Sequence, residues 1–195
     1  MSTSEAKFDG LANNYDQARP RYPAELFRHV VEYLPKTDRL TVVDAGAGTG
    51  IALEGLLPHL PDDAAVHAVD VSTDMIRVGR EKFPHVVWHE GTAEGYLASC
   101  PSSSVDLVVA AQSYQWMDRA AYVREAARCL GPAGLCLVIQ NNRNHAAAVS
   151  PPRTRTCWRN SRPATAARTA ASTSRTNWAW CSRRWSAGHP SGCRR

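Results

Sequence analysis

Eleven residues, Leu40 to Gly50, read LTVVDAGAGTG and restrict this chain more than any other stretch. The apolar run from Leu40 to Val43 has the composition of a buried strand. It ends in Asp44, passes into Gly46, Gly48 and Gly50, and gives way to helical periodicity at Ile51. A strand, a tight loop and a helix start in so short a span open an α/β unit. Glycine has no Cβ, so such a loop takes backbone angles closed to other residues and lets a ligand lie against the main chain. The helix start beyond it offers unpaired N–H groups, and a nucleotide-like cofactor is the natural occupant.

The rest of the first 145 residues repeats the strand–helix alternation. Pro23 stands where a first-turn proline is tolerated, and Leu26, Val30, Val31 and Leu34 follow at helical spacing. After the glycine loop, Ile51, Leu53, Leu56, Leu57 and Leu60 form one apolar face. Ala64 to Val69 predicts a second strand ending in Asp70, with Ser72 as N-cap of a helix through Phe83. His85 to His89 predicts a third strand, Val105 to Ala111 a fourth, Arg119 to Leu130 a helix stopped by Gly131 and Pro132, and Leu135 to Ile139 a fifth strand. The fold class expected is α/β: a Rossmann-like, mostly parallel sheet flanked by helices.

Spacing narrows the ligand. The dinucleotide fingerprint G-x-G-x-x-G needs glycine at position 51, where Ile51 stands, so plain dinucleotide binding is disfavoured. Asp70 lies 20 residues after Gly50 at the carboxyl end of the second strand. A carboxylate there has acceptors enough for both hydroxyls of a ribose. The fourth strand runs into Gln112, Ser113, Tyr114, Gln115, Trp116, Met117 and Asp118, a polar and aromatic cluster at the edge where open α/β sheets bind ligands.

The order acidic-x-G-x-G-x-G, here Asp44, Gly46, Gly48 and Gly50 with Ala45 after the acid, resembles the first motif of class I S-adenosylmethionine (SAM) dependent methyltransferases. Phe8 to Pro23, FDGLANNYDQARPRYP, resembles the opening of the trans-aconitate and type 11 methyltransferase group within that family. The segment after the fourth strand is similar to the group's Q-A-F-H-W-F-D, except that Gln115 stands where His is common. The resemblance implies SAM as cofactor, with Asp44 at its amino acid end and the glycine loop against its methionine and ribose. It also places Asp70 and Val71 beside the nucleoside, Thr92 and Ala93 along the adenine edge, and Tyr15, Arg19 and Gln112 around the cofactor. Tyr114 and Trp116 are expected on the substrate side.

An amide cannot take a proton near neutral pH, so no base is assigned to position 115, no catalytic residue is named, and no metal is required. The implied reaction is methyl transfer to a small-molecule acceptor, a carboxylate or other oxygen, and Arg19 offers a guanidinium fork for an acidic one. A SAM-binding but inactive remnant is the alternative, and a nicotinamide dehydrogenase is weighed down by Ile51.

Charge divides the chain. The first 144 residues hold 13 basic and 18 acidic side chains, whereas the last 51 hold ten Arg and no acid. From Ser150 onward there is no Leu, Ile, Val, Phe, Met or Tyr, so residues 146–195 are expected to be a disordered tail that cannot bury a core. The final helix and C-terminal strand hairpin of the family are accordingly expected to be missing. The Arg, Ser, Thr and Trp bias is what a shifted reading frame of a GC-rich gene would yield. A nucleic-acid arm is disfavoured, because the tail has no repeats, no RGG spacing and no structured reader. No apolar run reaches the length of about 18 residues that spans a bilayer, no signal-peptide pattern is present, and a cytoplasmic location with no membrane partner is expected. The six cysteines show no C-x-x-C and no paired spacing, and those of the domain are expected to be reduced buried thiols.

Overall fold

Runs such as Val42–Val43 and Leu107–Val109 put apolar side chains on both faces of a strand, so the sheet they form must be covered on both sides. In the computed structural model, which describes residues 10–37, 39–142 and 177–184, β1 (Thr41–Ala45) lies between β2 (Ala65–Asp70) and β4 (Val105–Ala111), parallel to both. With β3 (Val87–Glu90), β5 (Leu130–Asn142) and β6 (Asn177–Arg184), the sheet order is β3-β2-β1-β4-β5-β6; the first five strands are parallel and β6 is antiparallel to β5.

Side chains alternate between two cores, as a two-residue period requires. Val42, Leu107 and Leu137 pack with Phe27, Leu53 and Leu56 beneath α2 (Ala24–Glu32) and α3 (Ile51–Leu56). Val43, Val69 and Val108 pack with Leu97 and Tyr122 beneath α5 (Ala93–Ser99) and α6 (Arg119–Cys129). Each fully buried Leu or Val contributes about 1.5–3 kcal/mol relative to an exposed one, so the two layers fix the sheet between them. The strand order turns around at β1 and β4, which opens a crevice outside their carboxyl ends.

Local sequence caps three of the helix starts. Ser72 Oγ accepts from Met75 N at 3.4 Å and caps α4 (Thr73–Lys82); Thr92 Oγ1 accepts from Gly95 N at 3.1 Å and caps α5. Asp118 Oδ1 accepts from Ala120 N and Ala121 N, both at 3.0 Å, and caps α6.

Four elements depart from expectation. The segment ahead of Pro23 contains a helix, α1 (Ala12–Ala18), where an irregular cover was expected. Leu11 provides no side-chain cap; Asp74 of α4 does so across the fold, accepting from Gly10 N at 3.0 Å and Ala12 N at 3.3 Å. The apolar face after Ile51 is helical only to Leu56 and continues as a 3-10 turn, Leu57–His59, since Pro58 has no N–H to carry the α pattern on. α6 stops at Cys129, and β5 begins at Leu130 before the expected breakers. The β4–β5 register jumps from Val105↔Leu130 to Leu107↔Leu135, so Gly131–Gly134 bulge out of the ladder. Finally, Asn177–Arg184, within the stretch expected to be disordered, form β6 against β5. Its alternating Trp178 and Trp180 suit a strand, and the edge of β5 supplies unpaired backbone groups. The remainder of the 146–195 tail and Phe8 lie outside the described residues. Among the described cysteines Cys129 is buried, while Cys100 and Cys136 are half-buried rather than fully enclosed. No helix of the described residues is long and apolar enough to cross a membrane.

Candidate functional site

The loop from Gly46 to Gly50 is held from the neighbouring strand. Val69 O at the end of β2 accepts from Gly46 N at 2.8 Å and Ala47 N at 2.9 Å. Gly46 has φ +71°, and a Cβ there would lie 2.4 Å from Ser113 Cβ, so this glycine is required by the protein's own packing. Ser113 is held there by its hydroxyl, which donates to Ala45 O at 2.6 Å. Gly48, with φ +57°, has open space where a side chain would be, and it is the point at which a ligand can reach the main chain.

Two carboxylates face the space beyond. Asp70 Oδ2 accepts from Gly48 N at 2.8 Å and its Oδ1 from Ser72 N at 2.9 Å, so it staples the glycine loop to the start of α4. Burial raises its pKa, and the backbone N–H groups partly counter that. Asp44 is different. It is 1% exposed and neither oxygen has a hydrogen-bond partner. Burial, and then the charge of Asp70, push its carboxyl up to about 7. An acceptor pair hidden from water and paired with nothing is costly, which marks a place where a donor is to be supplied.

Gln112 supplies the complement. It closes β4 in the left-handed region at φ +59°, a conformation few residues other than glycine adopt, with its N–H donating to Ile139 O at 2.8 Å. Its carbonyl accepts from Gln115 Nε2 at 2.7 Å, while its own Nε2 is buried without a partner. An unpaired acceptor on β1 and an unpaired donor after β4 thus border one cavity of about 300 Å³.

The helix α1 forms the cover. Arg19 lies 4.7 Å over the ring of Tyr15, and both border the cavity along with Tyr22. Asp16 fastens the helix: its Oδ1 accepts from Thr49 Oγ1 at 2.6 Å and from Lys82 Nζ at 2.7 Å, and its Oδ2 pairs with Arg21 at 3.0 Å. Arg21 and Lys82 both also pair with Glu54 of α3. Burial raises the pKa of Tyr15, with Arg19 opposing and Asp70 adding to the rise.

Of the residues singled out in the sequence, Asp44, Gly46, Gly48, Asp70, Val71 and Gln112 line this cavity. Tyr15, Arg19, Thr92, Ala93 and Trp116 line it as well, and Trp116 is 56% exposed at the rim. Three do not line it. Ala45 is buried in the second core, and Gly50 is crowded by Phe83, 2.8 Å from where its Cβ would be. Tyr114, expected on the substrate side, packs edge-on to Tyr122 with ring centroids 5.5 Å apart. The 3-10 turn Tyr114–Trp116 sets Trp116 at the mouth and Tyr114 over α6. Ser113 and Met117, named in the cluster after the fourth strand without an assigned role, belong to the cavity wall, as does Tyr22. Tyr22 carries no sequence signal beyond the segment in which it lies.

A family profile described as a methyltransferase domain matches residues 42–134. Over 137 residues the chain is 34% identical to an uncharacterized methyltransferase of Mycobacterium tuberculosis, covering 70% of this chain and 53% of that protein. Over 119 residues it is 35% identical to a trans-aconitate 2-methyltransferase of Azoarcus sp., covering 60% of this chain and 45% of the relative. A solved structure from Anaeromyxobacter dehalogenans, described as a type II methyltransferase, is 31% identical with a TM-score of 0.54, covering 64% of this chain and 49% of that one. The chain spans about half the length of the curated relatives it matches.

Proposed function

We propose that the protein is a class I, SAM-dependent methyltransferase, a reading supported by the methyltransferase-domain match over residues 42–134, and that it binds SAM in the cleft between β1, β2 and β4 and transfers its methyl group to a small-molecule acceptor. The observation that carries this reading is Asp44, a carboxylate 1% exposed whose two oxygens have no partner. An ammonium is the donor that such a group lacks, and SAM brings one.

The residues present fit this cofactor. Asp44 would take the amino group, Gln112 Nε2 the carboxylate of the same amino acid end, and Asp70, with lone pairs beyond its two backbone bonds, the ribose hydroxyls. Gly48 leaves room for close approach, and Thr92 and Ala93 also border the cavity. When bound, SAM supplies a methyl on a positively charged sulfur, already a good leaving group. The chain's own work is then to orient the two partners and keep water out. α1, fastened through Asp16, is the element that covers the cavity. No proton-accepting residue is needed for an acceptor that arrives as an anion. The acceptor proposed is a carboxylate or another oxygen: Arg19 is a cation on the cavity wall, and a relative is named for trans-aconitate, itself a carboxylate.

Calorimetric titration of the purified protein with SAM tests the first half, and release of S-adenosylhomocysteine with a panel of small carboxylic acids tests the second. Saturable SAM binding that is lost or weakened at least tenfold in Asp44→Asn is expected. Failure of SAM to bind refutes the reading; binding with no transfer to any acid refutes the acceptor class.

A further inference from the structure

Asp44 combines three features seldom found together. It is 1% exposed, no donor reaches either oxygen, and a second carboxylate, Asp70, borders the same cavity. Among the described residues, only Asp70 acts on Asp44 electrostatically; Arg19, though on the same cavity wall, does not compensate it. Asp70 at the end of β2 is an acid, and Tyr22 ahead of α2 and Tyr122 of α6 are phenols whose own ionisation Asp44 opposes. Arg19 acts on Tyr22 and stacks on Tyr15, and Asp70 spends its two backbone bonds on Gly48 and Ser72. An isolated buried charge costs so much that such a group neutralises itself instead.

Resting on the reading of this cleft as a SAM site, we infer that SAM binding is coupled to the release of one proton from Asp44. Below about pH 7 the ligand-free cleft holds Asp44 as a carboxylic acid. Docking an ammonium beside it removes that proton to the solvent and leaves a carboxylate–ammonium pair, so charge and atoms balance without any other reactant. The burial that makes the empty site neutral strengthens the pair once formed, because the same low dielectric acts on both. The cleft therefore rejects the charge until its partner arrives.

The sign follows from linkage. A ligand that needs the carboxylate binds more tightly as pH rises, until the empty site is itself ionised. With Asp44 poised at about 7, affinity at pH 6 is about tenfold below its high-pH limit, and above pH 8 this dependence is gone. The SAM amino group titrates near pH 8, and docking as an ammonium takes up a proton there, so the release from Asp44 is read at pH 6 and 7.

Calorimetric titration with SAM at pH 6, 7 and 8, each in two buffers of different ionisation enthalpy, counts the protons. SAM binding to the wild type is expected to release close to one proton at pH 6 and about half at pH 7, with no net release at pH 8. The infrared C=O band of a protonated carboxylic acid should be present in the ligand-free wild type at pH 6 and vanish on adding SAM, which tests the claim without any variant. SAM binding with equal affinity at pH 6 and 8 and no proton release at pH 6 overturns the inference while leaving the SAM site intact. No binding at any pH overturns both.

Discussion

Asp44→Asn should stabilise the ligand-free protein at pH 8.5 and do so far less at pH 5. In the folded chain the carboxyl of Asp44 is raised to about 7 from an ordinary 3.8. Between those values the folded state holds a proton that the unfolded chain has lost, so the contribution of this group falls as pH climbs through that window. Three units at about 1.4 kcal/mol each put the cost of ionised Asp44 on the order of 4 kcal/mol above pH 7. Asn carries no charge and escapes that cost, but its amide remains buried without a partner, a penalty of about 1–3 kcal/mol. The net gain expected at pH 8.5 is then about 1–3 kcal/mol, vanishing or reversing at pH 5, where Asp44 is already neutral. Urea unfolding of both proteins at the two pH values measures it. Groups such as Asp16 and Asp74, whose pKa values are lowered by their cationic partners and N–H donors, act alike in both chains and cancel in the difference. If the gap between variant and wild type is the same at pH 5 and pH 8.5, Asp44 is not a proton-holding group and the reasoning about the cleft fails.

Gly46→Ala should destabilise by about 2–4 kcal/mol, because it adds left-handed strain to a 2.4 Å clash with Ser113 Cβ. Combining it with Ser113→Gly should recover the packing part alone; full recovery in chemical denaturation would contradict the backbone argument. Gly79→Ala would gain up to about 1 kcal/mol in an isolated helix, yet its Cβ would sit 2.1 Å from Trp88 Cη2, so a net loss of about 1–3 kcal/mol is expected, and a higher melting temperature would disprove it. Asp16→Ala removes the shared acceptor of Thr49 and Lys82 and should cost about 1–2 kcal/mol while speeding SAM dissociation in stopped-flow; an unchanged off-rate would mean that α1 does not cover the ligand. Trp116→Ala, at a 56% exposed rim position, should change stability by less than about 0.5 kcal/mol, as thermal unfolding would show.

Local chemistry was legible wherever it was carried by neighbours in the chain. The apolar runs around Val42 and Val108 announce strands, Ser72 announces a helix start, and the spacing from Gly50 to Asp70 puts two carboxylates at the ends of adjacent parallel strands. The left-handed angles of Gly46 and Gly48 likewise follow from a tight turn whose backbone conformation glycine adopts readily. α1 escaped because its cap is Asp74, 62 residues from Ala12, a bond no window of local sequence contains. Tyr114 and Trp116 stand two apart in one motif, and only the 3-10 turn separates the ring packed on Tyr122 from the one at the rim. The order of residues therefore decided which groups reach the carboxyl edge of the sheet. Folding decided which of them remain without partners there, since the isolation of Asp44 is a property of everything that surrounds it in space.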